Sequence, residues 1–468
     1  MATFISVPLK KTSEVDLVKP LSKYIHNTYP SGEDQTEYCR AVEELNKLRK
    51  SAVGRPLDKH ETSLETVMRY YDQLCSVEPK FPFTESQLCL TFTWKDAFDK
   101  GSIFGGSVKL ALPSLGYEKT CVLFNIGALA SQIASEQNLD NDEALKAASK
   151  FYQLASGAFS HIKDTVLSSL NRDPTIDISP DTVGTLSLIM LAQAQEVFFL
   201  KATRDKMKDA LIAKLANQAA DYYGDAFKQC QYKDTLSKEV FPILAAKHCI
   251  MQAHAAYHQS VLAKQQKKFG EEIGRLQHAS DLVKTVSSRY DEYVNVKDLA
   301  DKINRALTAA KKDNDFIYHD RVPDLKDLDP IGKASLVKPT PINVPLSQKY
   351  TGCHGSQSAK QPPPRPPPPT MPSASPVPAS AAQAPNPAPT TAPATDSSQP
   401  LSNTIPSQAQ GPPYPTYPGY PGYYGMPMPV GYNPYMYGQQ TIPPYMYQPP
   451  SGQAPYPTQH SAFSYPQQ

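Results

Sequence analysis

Apolar residues recur at helical spacing along most of the first 350 residues. One segment near the N-terminus carries a repeating apolar face, formed by Tyr38, Val42, Leu45 and Leu48. From Cys121 to about Ile317 the same period continues in segments rich in Ala, Leu, Lys, Gln and Glu, which favour helix. After a proline-containing break at 171–180, we predict helices over residues 181–200, 204–229, 238–269 and 271–311.

Two other segments alternate apolar and polar residues with period two, as half-buried strands do. They are residues 88–94 and 107–112. A glycine-punctuated stretch, 99–106, lies between them, so we predict a hairpin with Ile103 and Phe104 near its tip. Residues 3–9 are a third, short candidate strand.

The order of these elements predicts a mainly α-helical body with little sheet. Consecutive antiparallel helices of this length stack into a solenoid-like array, which offers long concave surfaces to peptides. Residues 320–350 lose the helical pattern and contain five prolines. We predict that this segment is an ordered strap along the body.

The composition changes abruptly near residue 360. Residues 361–468 contain 31 prolines, 12 tyrosines and only two formal charges, Arg365 and Asp396. Such a segment cannot bury a core and favours extended polyproline II, a form that other proteins' grooves bind. We therefore divide the chain into a folded body, 1–350, a junction, 351–360, and a disordered docking tail, 361–468.

Bulk properties exclude several classes of protein. The net charge is +2, which gives no bulk argument for nucleic-acid binding. The seven cysteines form no CxxC pair and are typical of reduced cytosolic thiols. We see neither a signal peptide nor a run of 18 apolar residues, so we expect a cytoplasmic protein that does not span a membrane.

Motifs for catalysis or metal binding are also missing from the sequence. It has no phosphate loop, no GxSxG elbow and no HExxH. His254 and His258 stand four apart on a predicted helix, a spacing that suits a metal, but no third ligand follows at a recognisable distance. The acid–base cluster at 58–61 is more typical of helix capping. We predict no cofactor, no metal and no catalytic residue.

Several longer motifs resemble the BRO domain of ESCRT-associated adaptors. They are Thr91–Asp99 (TFTWKDAFD), Ile103–Leu112 (IFGGSVKLAL), Asp177–Gly184 (DISPDTVG), Ala192–Phe199 (AQAQEVFF) and Asn314–Tyr318 (NDFIY). The resemblance covers residues 1 to about 350, and the proline-rich tail at 411–423 is similar to that of the same family. It implies a boomerang-shaped, solenoid-like helical BRO domain with a small N-terminal β-sheet.

The resemblance also implies a partner for the body. In this family a concave apolar groove receives the C-terminal helix of the ESCRT-III subunit called charged multivesicular body protein 4. Phe198, Leu211 and Leu215 correspond to the apolar lining, and Asp142 and Lys146 to its polar contacts. The residue pattern alone favours a different interpretation, in which the apolar residues belong to the core and the charged pair is a solvated helix face.

Two further residues match functional positions of the family. Phe104 corresponds to a residue that inserts into late-endosomal membranes; the alternative is a turn whose phenylalanine folds onto the body. Tyr318 corresponds to a tyrosine that Src-type kinases phosphorylate, which would add about −1.5 to −2 charges.

Short motifs in the tail resemble ligands of three partners, although each is also compatible with a plain spacer. The motif for a midbody coiled-coil scaffold comprises Gly411, Pro412, Pro413 and Tyr417. The site for a calcium-loaded penta-EF-hand protein comprises Pro413, Tyr414, Pro415, Tyr417, Pro418, Tyr420 and Pro421. The SH3 ligand for endophilin-type proteins comprises Pro363, Pro364, Arg365, Pro366 and Pro368.

The chain also departs from the family pattern. After Tyr350 the family continues into a V-shaped helical domain that carries dimer contacts, whereas here the proline-rich tail follows. The P[ST]AP ligand of ESCRT-I is absent, because residues 372–375 read PSAS. We therefore expect a monomeric, non-enzymatic adaptor in endosomal sorting, membrane scission, cytokinetic abscission and apoptosis, recruited to endosome and midbody. Two alternatives remain open, an enzyme with an unusual site and a tail that self-assembles.

Overall fold

The computed structural model describes residues 4–84, 87–88, 90–99, 108–170, 172–231, 236 and 238–349. The chain divides into two compact units, residues 1–375 and 376–468, and every described residue lies in the first. The described helices are α1 Val18–Thr28, α2 Glu33–Val53, α3 Glu61–Val77, α4 Leu115–Ser135, α5 Asp142–Leu170, α6 Pro180–Arg204, α7 Asp209–Gln231, α8 Val240–Gln265, α9 Phe269–Arg289 and α10 Lys297–Asp313. The described strands are β1 Phe92–Lys95 and β2 Lys109–Leu112.

Each helix packs on the next along the chain, from α1 to α10. The prediction of a mainly helical, stacked array is therefore confirmed. Side-chain caps define where two central helices begin: Ser114 Oγ accepts from the amide of Tyr117, and Ser179 Oγ accepts from that of Thr182. Pro180 then occupies the first turn of α6, where its missing amide costs nothing.

The helix predicted over 271–311 is wrong as a single element. The structure breaks it at residues 290–296 into α9 and α10, which pack against each other. The break buries an apolar cluster that includes Leu282 and Val286 on α9 and Leu299 and Ile303 on α10. An uninterrupted helix would keep these faces apart, and tertiary burial outweighs local helix propensity.

The strands pair in antiparallel fashion, with Phe92 opposite Leu112 and Lys95 opposite Lys109. The predicted hairpin is confirmed for the described part of both strands. Phe92 and Trp94 point into the core and are at most 1% exposed. Residues 100–107, with Ile103 and Phe104, lie outside the described residues.

The predicted strand at 3–9 does not form. Residues 4–10 are extended, but their backbone groups bond to side chains of distant helices instead of to another strand. Gln193 on α6 exchanges two hydrogen bonds with Ile5, and Asn125 on α4 exchanges two with Lys10. Amide side chains thus satisfy the buried backbone that a sheet would otherwise satisfy.

Residues 319–349 form the predicted strap. The amide of Thr340 donates to the carbonyl of Gln153 at 2.9 Å, and the amide of Leu346 donates to Asp72 Oδ1 at 2.7 Å. Gly157 on α5 permits this close approach, because a Cβ there would lie 1.8 Å from the carbonyl oxygen of Thr340. The strap therefore reaches from α9 back to α3.

Within the described residues one helix, α6, is long and apolar enough to cross a membrane by length and composition. In this structure 83% of its most apolar window is buried inside the protein. The apolar surface of α6 is therefore covered by neighbouring helices, as expected for the central helix of a stacked array.

Candidate functional site

The turn between α6 and α7 exposes apolar side chains. Lys206 adopts a left-handed φ of 52°, and the amide of Met207 donates to the carbonyl of Ala202 at 3.0 Å. This closes α6 and starts α7 within four residues. Met207 is 42% exposed and Leu211, on the first turn of α7, is 36% exposed. Exposed leucine and methionine side chains on one turn are typical of a protein-binding surface.

Deeper along the same two helices the apolar residues are buried. Gln195 Nε2 on α6 donates to the carbonyl of Leu215 on α7 at 3.3 Å. Phe198 and Leu211 stand one turn beyond this contact on their helices, towards the exposed end. Phe198 is half-buried, whereas Leu215 is 1% exposed. Leu215 is therefore buried in this structure, and its place on the groove lining stays a prediction.

A charged cluster lies beside these residues. Asp142, the first residue of α5, accepts hydrogen bonds from Lys201 Nζ at 2.5 Å and from the Arg204 guanidinium. Lys146 Nζ lies 3.5 Å from the same carboxylate. The hydrogen bond from Lys201, with those of the other cations, lowers the pKa of Asp142 to about 2. The carboxylate is therefore ionised throughout the physiological range.

The apolar and charged groups share one helix face. Lys201 follows Phe198 by three residues, so both project from the same side of α6. The three cations, Lys146, Lys201 and Arg204, remain 26–58% exposed at their side chains. We define Phe198, Met207 and Leu211 as the apolar patch and Asp142 with its three cations as the charged cluster. An apolar strip bordered by cations suits an amphipathic helix with acidic flanks.

The chain is similar to proteins of known family and structure. A model of the BRO1-like domain matches residues 4–362. The chain belongs to the BRO1-like domain family. Over 351 residues it is 98% identical to programmed cell death 6-interacting protein of Xenopus laevis, a match that covers 75% of this chain and 40% of that one. The chain thus spans about two-fifths of that relative's length.

Solved structures support the same fold. One describes the ALIX BRO1 CHMP4C complex; it is 83% identical, with a TM-score of 0.73, and the match covers 74% of this chain and 98% of that one. Another concerns endosomal targeting by the Bro1 domain; it is 25% identical, with a TM-score of 0.65, over 74% of this chain and 95% of that one. The matched part of this chain is the BRO1-like region.

Sequence reasoning missed three residues of the site in this BRO1-like domain. They are Met207, Lys201 and Arg204, none of which the sequence pattern singled out. The three-residue spacing from Phe198 to Lys201 was the available signal. The contacts of Lys201 and Arg204 with Asp142 could not be predicted from a local pattern, because these residues are 59 and 62 positions away from it.

The two histidines of α8 have separate environments. His258 Nδ1 lies 2.7 Å from Asp209 Oδ1, and the His254 ring packs on Phe199 at 4.8 Å between centroids. Burial lowers the pKa of His254 to about 3, so it is neutral near pH 7. Part of its ring lines a cavity of about 390 Å³ between α6, α8 and α10. Among the described residues no group of three His, Cys, Asp or Glu side chains is placed to hold a metal.

The acid–base cluster at 58–61 is a helix start. His60 Nδ1 accepts a hydrogen bond from the amide of Thr62 at 3.2 Å and thereby caps α3. Lys59 forms an ion pair with Glu136. The charged and polar residues at 58–61 therefore have structural roles, as a helix cap and an ion pair.

The remaining predicted site residues are separated from the apolar patch or lie outside the described residues. Tyr318 is 42% exposed at the end of a π-helical turn, Asn314–Tyr318, that follows α10, and its ring stacks on Phe269 with 3.5 Å between centroids. Its neighbours Phe316 and Ile317 are 77% and 63% exposed. Phe104 and all motifs of the tail lie outside the described residues.

Proposed function

We propose that this chain is a non-enzymatic adaptor whose body binds the C-terminal amphipathic helix of an ESCRT-III subunit, charged multivesicular body protein 4. The observation that carries the proposal is the exposed apolar patch beside the charged cluster, in a chain 83% identical to the BRO1 domain of the ALIX BRO1 CHMP4C complex. Leucines or methionines of the partner helix would rest on Leu211 and Met207. Acidic groups of the helix would meet Lys146, Lys201 and Arg204.

The adaptor would act where ESCRT-III assembles on membranes. We infer roles in endosomal sorting, membrane scission and cytokinetic abscission, with recruitment from the cytoplasm to endosomes and the midbody. A contact through Phe104 would hold the body at a late-endosomal surface. Phosphorylation of the half-exposed Tyr318 would place charge beside the exposed Phe316 and Ile317 and break the stacking of Tyr318 on Phe269.

The tail would recruit further partners through short motifs. Residues 363–368 would bind an endophilin-type SH3 domain, with Arg365 setting the direction of the peptide. The motifs for the midbody scaffold and for the penta-EF-hand protein share Pro413 and Tyr417, so one tail would bind only one of them at a time. Each motif alone binds at about micromolar strength, so avidity between body and tail would decide recruitment.

Titration of a fluorescent C-terminal helix of charged multivesicular body protein 4 into the full chain, followed by anisotropy, tests the proposal. Leu211→Asp should weaken binding by about a hundredfold or more, because it places a charge in an apolar contact. The variant should stay folded, since the side chain is already 36% exposed. Leu167→Asp is the matched control.

Leu167 is 59% exposed on the same helix as Asp142 but about 37 Å further along it, so its variant should bind like the wild type. Normal binding by a folded Leu211→Asp protein would show that the helix docks elsewhere. Equal losses in both variants would point to an effect of the added charge alone.

A further inference from the structure

Three lysines stand side by side across the small sheet. Lys95 on β1 lies directly opposite Lys109 on β2. On the other side of β1, Thr12 forms a bridge with Trp94, and the amide of Lys95 donates to the carbonyl of Lys11 at 2.9 Å. The antiparallel register therefore places Lys11 opposite Lys95 as well. Residues opposite each other project from the same face of a sheet, so we call these three residues the lysine row.

The lysine row faces outward and has no counter-ion among the residues that the structure describes. Trp94 points into the core, so its neighbour Lys95 points away from it, and all three lysines are exposed. None of them makes an ion pair with a described residue. The adjacent outward row consists of the small residues Ser13, Thr93 and Ala111, which cannot cover the ammonium groups. Like charges opposite one another are unfavourable unless an anion lies across them.

The acidic residues near the row are engaged elsewhere. Glu14 pairs with Lys50 at 3.0 Å, and Asp177 is buried in an ion pair with Lys10. Asp96 accepts hydrogen bonds from the amides of Phe98 and Asp177. Asp99 accepts one from the amide of Val108. The outward face of the sheet therefore carries a concentrated positive charge.

Exposed aliphatic side chains lie at the loop end of the sheet, off the lysine face. Val108 is 54% exposed, and strand alternation directs it to the face opposite Lys109. Ile176 is 57% exposed, and its neighbour Asp177 accepts a hydrogen bond from the amide of Ala97 at 2.7 Å, which holds this turn against the loop end of the hairpin, just after β1. The attraction of this face to an anionic membrane surface therefore rests on its three exposed lysines. The chain's own tail is a poor occupant, since residues 361–468 contain one acidic residue.

We propose that the lysine row binds the headgroups of anionic phospholipids and aligns the sheet face with a membrane surface. The proposal rests on the membrane contact included in the proposed function, and it assigns to that contact residues that are separate from Phe104. The three ammonium groups would supply the attraction to the lipid phosphates.

Sedimentation of the full chain with vesicles tests this assignment. The vesicles contain phosphatidylserine and phosphatidylcholine, or phosphatidylcholine alone. Replacing Lys11, Lys95 and Lys109 together by Gln should lower binding to the anionic vesicles by about a hundredfold, since each lysine near such a surface contributes about fivefold. The control replaces Lys297, Lys311 and Lys312 on α10 by Gln; these lysines are also exposed, and the change in net charge is the same.

The control should bind anionic vesicles like the wild type, and both triple variants should bind the ESCRT-III helix normally. Equal losses in the two triple variants would overturn the assignment in favour of bulk charge. Unchanged vesicle binding by the lysine-row variant would also overturn it. So would equal affinity for soluble glycerophosphoserine or polyglutamate, because the row would then not select a membrane. If the wild type ignores anionic vesicles, the membrane contact fails as a whole, while the helix titration still tests the adaptor function.

Discussion

Two carboxylates with cationic partners show how burial separates structural from functional charge. Glu118 on α4 is fully buried and accepts hydrogen bonds from Arg49 Nε at 2.9 Å, Tyr70 Oη at 2.9 Å and Trp94 Nε1 at 2.6 Å. This set ties α2, α3, α4 and β1 together. All three donors bond to Glu118 inside the protein, so neither the carboxylate nor its partners are accessible to a ligand.

Asp142 has a similar set of partners at the surface. Its side chain is 42% exposed, and Lys201, Arg204 and Lys146 surround it. Water and salt screen these pairs, so they add little to folding. Their cations can therefore turn to an incoming peptide at little cost. Carboxylate–cation pairs therefore stabilise the fold around Glu118, whereas around Asp142 the cations are accessible to a binding partner.

Removal of the buried carboxylate should have the largest effect. Glu118→Ala should lower the free energy of unfolding by about 3–5 kcal/mol, because it leaves the Arg49 guanidinium buried without a counter-charge. Urea denaturation of the full chain measures this loss. Asp142→Ala serves as the exposed counterpart and should unfold at nearly the wild-type urea concentration. A Glu118→Ala protein as stable as the wild type would contradict the assignment of a structural role.

Acid should destabilise the buried interior before it neutralises the surface cluster. Burial lowers the pKa of His254 to about 3, so its folded pKa lies below the unfolded value of about 6.5. The unfolded chain then binds a proton that the folded chain does not, and stability falls as the pH drops below about 6.5. The slope for this one residue is about 1.4 kcal/mol per pH unit, or about 2 kcal/mol by pH 5.

Urea denaturation at several pH values measures how the free energy of unfolding changes with pH. His254→Phe should reduce this slope. The control, His26→Phe at an exposed position, should leave it unchanged. Part of the slope should remain, because burial also lowers the pKa of His258. Lys302 faces both rings and adds to the cost of protonating them. An identical slope in wild type and His254→Phe would place the acid sensitivity elsewhere.

Local pattern predicted the helices, the hairpin and the strap, yet it could not sort neighbouring leucines. Leu211 and Leu215 share one face of α7, so periodicity assigned both to the core and the family resemblance assigned both to the groove. The structure exposes one and buries the other. Beside Leu215, Gln195 Nε2 on α6 donates both to the Leu215 carbonyl at 3.3 Å and to the carbonyl of Ala334 on the strap at 2.8 Å, so distant segments meet at this residue. Contacts that span 139 positions leave no mark in a local pattern.

The two wrong elements have the same kind of cause. The segment 290–296 contains neither proline nor glycine, so nothing in the sequence signals the break between α9 and α10. The extended segment at 4–10 alternates like a strand, but the groups that satisfy it are side chains 115 and 188 positions away. Periodicity reports which residues are buried and cannot report what buries them.

The smallest effect is expected from the surface carboxylate itself. Asp142→Asn keeps the size of the side chain and removes one of the two carboxylates that orient Lys201 and Arg204; Asp205 is the other. Binding of the ESCRT-III helix should weaken by no more than about fivefold, since exposed pairs of this kind contribute little. Anisotropy titration measures the change, and high salt should abolish the difference from wild type.

The pH dependence of the same site sharpens this prediction. The cations around Asp142 lower its folded pKa to about 2 from an ordinary 3.8. The ion pairs of the Asp142 carboxylate are therefore fully formed above pH 3.8 and are lost as the pH falls towards 2. The ratio of wild-type to Asp142→Asn affinity should therefore stay constant from neutral pH down to about pH 4. A loss of affinity in Asp142→Asn as large as that of Leu211→Asp would mean that the charged cluster, and not the apolar patch, supplies most of the binding free energy.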